Sequence, residues 1–162
     1  MNFLKSNRGF TLTELSIALV ISSIIALTAS VIVVSASNNF NRGSRQIRLQ
    51  RDVSFANDLL TNSIREASGG TVVIYSDSSE TQVVNPGECL KIGTSALYYK
   101  SSRDLVYKSG SGQPQHLIRN SIDTLCFFYP TAADSQNCLG FRIALQEDGC
   151  SVATTGNVYF RN

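Results

Sequence analysis

The sequence predicts an α+β protein in which one long N-terminal helix, transmembrane in its first half and amphipathic in its second, precedes and packs on a C-terminal antiparallel β-sheet domain. Three observations lead there. Leu15 to Val34 is an unbroken run without Pro, Gly or charge, long enough at about 1.5 Å per residue to cross a hydrocarbon core of about 30 Å. Between Leu49 and Ala67 apolar residues return at spacings of four and three, the period of a helix with one buried face. From Thr71 onward, short β-rich runs alternate with turn clusters.

The bulk composition agrees. Only 16% of the 162 residues are charged, against about a quarter in soluble domains, and the deficit sits in the first forty or so positions, leaving an ordinary polar chain able to bury one modest core. A formal net charge of +2 without a run of like charges predicts no direct nucleic-acid binding. All four cysteines, Cys89, Cys126, Cys138 and Cys150, lie in the C-terminal part, and none forms a C-x-x-C pair. With a single histidine, His116, a zinc site would consume almost every thiol. No metal is expected, therefore, and disulfides in an oxidising compartment are. Four cysteines allow three pairings, and the sequence does not choose among them; one or two buried free thiols are the alternative.

In chain order, Met1 to Gly9 is a short leader carrying Lys5 and Arg8. Thr11-Leu12-Thr13-Glu14 then matches the S/T-x-x-E capping box, in which Thr11 and Glu14 satisfy free amides at a helix start and the carboxylate meets the positive end of the dipole. Capping alone leaves the ionisable group unexplained, because Gln caps as well and a carboxylate at a membrane costs several kcal/mol, roughly, unless partnered. The apolar span follows, and its Ser and Thr hydroxyls are expected to bond back to helix carbonyls. A secretory signal peptide cut near Ser35-Ala36-Ser37 is a competing reading, but such peptides have an apolar region of about 7 to 15 residues, shorter than this one.

Asn38 to Ser44 is rich in weak helix formers and reads as a bend or frayed segment where the chain leaves the bilayer. Beyond it the expected buried stripe is Leu49, Val53, Ala56, Leu60, Ile64 and Ala67, with Phe55 and Leu59 widening it. Ser68-Gly69-Gly70 stops the helix. Strands are expected at Thr71–Tyr75, Gln82–Val84, Cys89–Ile92, Ala96–Tyr99, Leu105–Lys108, Gln115–Arg119, Ile122–Tyr129, Leu139–Leu145 and Val158–Arg161. Arg42, Arg45, Arg48 and Arg51 read as a solvated helical face, and Glu147-Asp148 before Gly149 as a solvated turn. Lys and Arg counted beside the span favour the opposite membrane orientation; the expected disulfides and the leader both require the C-terminal domain outside.

Gly9-Phe10-Thr11-Leu12-Thr13-Glu14-Leu15, with its basic leader and following apolar helix, resembles the class III signal of type IV pilins and pseudopilins. The resemblance implies that prepilin peptidase cuts between Gly9 and Phe10 on the cytoplasmic side and methylates the new amino terminus of Phe10. The helix is then retained, and the freed Phe10 amine offsets Glu14 of a neighbouring subunit during assembly. RLQRDVSFANDLLTNSIREASG, then Leu97-Tyr98-Tyr99, Leu105 to Lys108, His116 to Ile118, Ile122 to Tyr129 and the Phe160-Arg161-Asn162 ending, is similar to W-type minor pilins and J-type pseudopilins. The implied organisation is a cytoplasmic leader over 1–9, a transmembrane and assembly helix over 10–37, an amphipathic extension over 38–68 and an extracytoplasmic β-rich domain over 69–162. The implied partners are prepilin peptidase, the inner membrane and other pilins, minor pilins or pseudopilins met through the N-terminal helix.

No enzyme is expected and no cofactor. His116 with Ser111 or Ser121 and Asp123 can be written as a triad, yet no G-x-S-x-G elbow accompanies it. Gly110-Ser111-Gly112 lacks the lysine and helix of a phosphate loop. The expected function is that of a minor pilin-like subunit that helps initiate or cap a type IV pilus. A J-type subunit of a type II secretion pseudopilus and a non-polymerising single-pass anchored binding domain are the alternatives.

Overall fold

The computed structural model describes residues 10–67, 71–94, 96–131 and 137–161. The leader, Gly9 included, and the Ser68–Gly70 helix stop lie outside the described residues. The order is helix α1 (Leu12–Glu66), then strands β1 (Val72–Tyr75), β2 (Cys89–Ile92), β3 (Ala96–Ser101), β4 (Asp104–Ser109), β5 (Gln115–Ile118), β6 (Ile122–Phe128), β7 (Cys138–Glu147) and β8 (Cys150–Tyr159). This is the expected α+β pattern. The chain divides into a unit ending at Arg42 and one beginning at Gly43.

The first unit holds the apolar part of α1. Its side chains from Leu12 to Val34 are exposed throughout, so it is not the core helix of a soluble domain, and it is long and apolar enough to cross a membrane. The hydroxyls return to the ladder as expected: Ser16 Oγ donates to Leu12 O at 2.9 Å, Ser30 Oγ to Ala26 O at 2.8 Å, and Thr28 Oγ1 to Ile24 O and Ile25 O at 3.1 and 2.9 Å. These hydroxyls are thereby satisfied within the helix, which an apolar solvent requires.

Asn38–Ser44, expected as a bend or frayed segment, is helical, for α1 runs through it. Gly43 costs a helix about 1 kcal/mol relative to Ala, but the segment lies between two strong helical stretches. Propagating a formed helix is far easier than nucleating one, so the weak residues are carried along.

The second unit buries the predicted stripe of α1, Leu49, Val53, Ala56, Leu60, Ile64 and Ala67. These pack in one cluster with Val72, Ile74, Leu90, Leu105, Phe127, Phe141 and Ile143 of the strands. Each fully buried Leu or Ile stabilises by about 1.5–3 kcal/mol. Leu59 packs at the edge of the cluster, as expected. Phe55 does not: it is 48% exposed, because its position on the helix turns away from the sheets.

The strands form two antiparallel sheets where one was expected, a five-stranded sheet in the order β1-β2-β3-β4-β5 and a three-stranded sheet in the order β6-β7-β8. Gly87 and Phe127 join them by exchanging both backbone bonds, at 2.9 and 2.7 Å. The expected strand at Gln82–Val84 reduces to a single bridge between Val83 and Tyr75. The last strand was expected only from Val158, and it begins at Cys150. Asp148 and Gly149 both have positive φ, 44° and 78°, the backbone of the two-residue turn whose twist suits a hairpin. β7 and β8 therefore pair along their whole length, from Glu147↔Cys150 to Cys138↔Tyr159.

Candidate functional site

The residues with an expected role in processing and assembly sit at the start of α1. Phe10 is exposed and precedes the helix. Thr11 is its N-cap: its carbonyl accepts from Leu15 N–H at 3.1 Å, and its hydroxyl oxygen accepts from Glu14 N–H at 3.3 Å. Reciprocally, Glu14 Oε2 accepts from the Thr11 backbone N–H at 2.9 Å and lies 2.9 Å from Thr11 Oγ1. The capping box forms as the sequence predicts.

Both Thr11 bonds end on the same carboxylate oxygen. Glu14 Oε1 accepts no hydrogen bond from any of the described residues. An ionised carboxylate has about four lone-pair sites, so capping uses one side of the group and leaves the other able to receive an ammonium. The structural and the assembly roles of Glu14 are therefore compatible in one geometry.

Within the described part of this pole nothing else is charged. The next acidic or basic residue along α1 after Glu14 is Arg42. Leu12, Leu15, Ile17, Leu19, Val20 and Ile21 surround the cap with exposed apolar surface. In an apolar medium a carboxylate so placed is poorly solvated, and an amine brought by a second helix removes that penalty.

The arginines after the span fare differently from the expected solvated face. Arg45 Nη1 pairs with Asp148 Oδ2 at 2.5 Å, and Arg48 pairs with Glu147, so the β7–β8 turn is tied to the helix. Arg51 reaches only its neighbour Asp52, at 3.7 Å. Glu147 also holds the Arg48 guanidinium more firmly protonated, by its hydrogen bond and its charge.

The strand register separates the cysteines. Cys138 begins β7 opposite Tyr159, and Cys150 begins β8 opposite Glu147. They stand at opposite ends of the hairpin, about 30 Å apart at about 3.3 Å per residue, whereas a disulfide needs Cα atoms within about 7 Å. That removes the pairing scheme containing Cys138–Cys150. Cys126 faces Arg142 across β6 and β7 and is partly exposed. Cys89 lies buried between Tyr75 and Tyr99. Both carry free thiols. Burial pushes the Cys89 thiol up to about 12, with Glu80 and Asp77 adding to it; burial also raises Cys126.

The triad is not assembled. His116 Nδ1 lies 2.6 Å from Asp104 Oδ2, not at Asp123. Asp123 accepts instead from the Thr124 hydroxyl at 3.1 Å. Ser121 is buried with its hydroxyl bonded to no described residue, and Ser111 lies in the exposed loop after β4. Among the described residues no three His, Cys, Asp or Glu side chains converge as metal ligands would.

Residues 4–30 match the prokaryotic N-terminal methylation motif. That stretch contains the Gly9-Phe10 junction, the cap and most of the apolar span, and the match supports the type IV pilin-like resemblance of the leader and helix. Motif and apolar helix together fit a membrane anchor. No curated protein and no solved structure matches the chain.

Proposed function

We propose that this chain is a minor pilin-like structural subunit, cut between Gly9 and Phe10 by prepilin peptidase, N-methylated on Phe10, and assembled through its N-terminal helix into the initiating or capping end of a type IV pilus. One observation carries the reading: Glu14, within the matched methylation motif, caps an exposed apolar helix through one oxygen, and its other oxygen accepts no hydrogen bond from the described residues.

The physical sequence is short. Before processing, the leader continues from Phe10 as an ordinary amide, and no cation among the described residues pairs with Glu14. Cleavage frees an amine, which stays cationic after a single methylation. In the bilayer a lone helix then carries an acid and an ammonium near one pole, and a neighbour shifted along the helix axis brings its ammonium to the vacant side of the Glu14 carboxylate. The exposed apolar residues Ile17, Val20, Ile21 and Ile24 supply the rest of the helix contact by packing. The ion pair contributes register, since a displaced neighbour leaves the acid unpaired.

In the downstream domain His116 pairs with Asp104, not with Asp123. Similarity to W-type minor pilins and J-type pseudopilins supports a low-abundance position in the assembly. The same helix would serve a J-type subunit of a secretion pseudopilus.

The test uses Glu14→Gln. Glutamine keeps an acceptor for the Thr11 amide and so preserves the cap, but removes the charge. The expected result is normal processing and membrane insertion with loss of the protein from sheared filaments. Undiminished incorporation of Glu14→Gln would reduce Glu14 to a cap and favour an anchored domain that never polymerises.

A further inference from the structure

β8 is one of the two outer strands of the three-stranded sheet, β6 being the other. Its direction of bonding follows from two observations. The two-residue turn closes on Glu147↔Cys150, and Phe160 N–H donates to Asn137 O at 2.9 Å just past the other end. In an antiparallel ladder bonded pairs recur at every second residue. The even-numbered residues from Cys150 to Val158 therefore bond to β7, while Ser151, Ala153, Thr155, Asn157 and Tyr159 turn their N–H and C=O groups outward. Those five side chains are also exposed.

The outward groups meet no partner among the described residues. The strand is 10 residues long and contains no Pro, Lys, Arg, Asp or Glu. The five-stranded sheet protects its edges differently. β1 is only 4 residues long and is followed by a segment that bonds back to it, Val84 N–H to Ile74 O at 3.1 Å; β5 is 4 residues long, beside a bulge in its pairing with β4. Long, uncharged, proline-free edges are what soluble domains avoid, because they accept another strand.

We infer that β8 is a pairing edge for β8 of a second copy of this chain, joined antiparallel about a two-fold axis at Thr155. The occupant follows from the chemistry of the edge. Backbone groups in a row take an extended strand, and a two-fold pairing sets each side chain against itself or its mirror position. Any charge near the axis would face a like charge, and β8 has none. Centred on Thr155, the pairing sets Ala153 against Asn157 and Ser151 against Tyr159, combinations free of repulsion. This contact does not depend on the pilin reading.

Two substitutions in the full-length protein in detergent test it. Thr155→Cys places one thiol opposite its own copy, whereas Val83→Cys, also exposed but in the segment after β1, does not. Mild oxidation is expected to give Thr155→Cys dimers at least tenfold faster than Val83→Cys dimers, with the new bridge located by peptide mass. Thr155→Asp faces Arg142 within its own hairpin, which keeps the fold, but opposes a second Asp in the dimer. It should weaken self-association, measured by sedimentation, at least tenfold, with partial recovery in 1 M salt. Equal crosslinking of the two cysteine variants, a dimer unaffected by Thr155→Asp, or amide protection of β8 arising only with a different protein would overturn the inference.

Discussion

Arg45 on α1 reaches Asp148 in the β7–β8 turn at 2.5 Å, spanning 103 positions of the chain. With Arg48 on Glu147, one turn further along the helix, it holds the tip of the long hairpin against the helix that supplies the core stripe. The hairpin is thereby fixed at both ends, since Arg161 N–H donates to Arg65 O at 3.1 Å beyond the far end of β8. These pairs are at least partly exposed, so their contribution is small and salt-dependent. Replacing Arg45 and Arg48 together by Gln should lower the urea midpoint slightly in low salt and leave it unchanged in 1 M salt. A salt-independent loss would mean that their aliphatic stems, not their charges, hold the turn.

Gly156 faces Phe141 across β7 and β8, and a Cβ there would lie 2.7 Å from the Phe141 ring. Gly140 does the same for Phe128 on the opposite face, at 2.4 Å. An aromatic ring laid over a strand glycine is a tight cross-strand fit. Gly156→Val, though it adds a good β-former, should cost about 1–3 kcal/mol by overpacking. Equilibrium denaturation reads it, and a stabilised variant would contradict the packing described.

Cys89 should be inert in the folded protein. With its thiol pushed up to about 12 by burial, against about 8.5 in an unfolded chain, the native state favours the neutral form. Stability linked to it is whole below about pH 8.5 and is withdrawn as pH rises from there towards 12. An alkylating reagent at pH 8 should label Cys89 slowly in native reduced protein and rapidly in urea. Equal rates would show that the site is open.

Asp104 predicts the acid side. The Asn120 amide, donating at 2.7 Å, and then His116 hold its carboxyl below the ordinary range. Its contribution is full above about pH 4 and is lost as pH falls through the depressed native value. The urea-midpoint advantage over Asp104→Asn should therefore hold at pH 5 to 6 and shrink towards pH 3. A gap that widens on acidification would reverse the sign argued here.

Much of this was legible in the sequence, and the exceptions have physical causes. The stripe Leu49 to Ala67, the capping box and the cores of most strands follow from local period and local chemistry. The helix through Asn38–Ser44 was not legible because summed propensities ignore the ease of continuing a helix already formed. β8 was largely missed because its outward residues Ser151, Thr155 and Asn157 are polar, while Gly156 reads as a strand breaker until the ring of Phe141 is placed over it. The two ion pairs at the hairpin tip join residues 99 and 103 positions apart and leave no local trace. At the N-terminal site, Glu14 and Phe10 were readable as a motif; that the cap occupies a single carboxylate oxygen was not.

The claim on which the rest depends is that the apolar helix remains in the working protein with a newly made amine at its head. Intact mass of the chain recovered from assembled material measures this directly. The account predicts the full chain minus Met1 to Gly9 plus one methyl group, with Phe10 as the modified first residue. A mass that begins downstream of the apolar span, or one that still includes Met1, would contradict it.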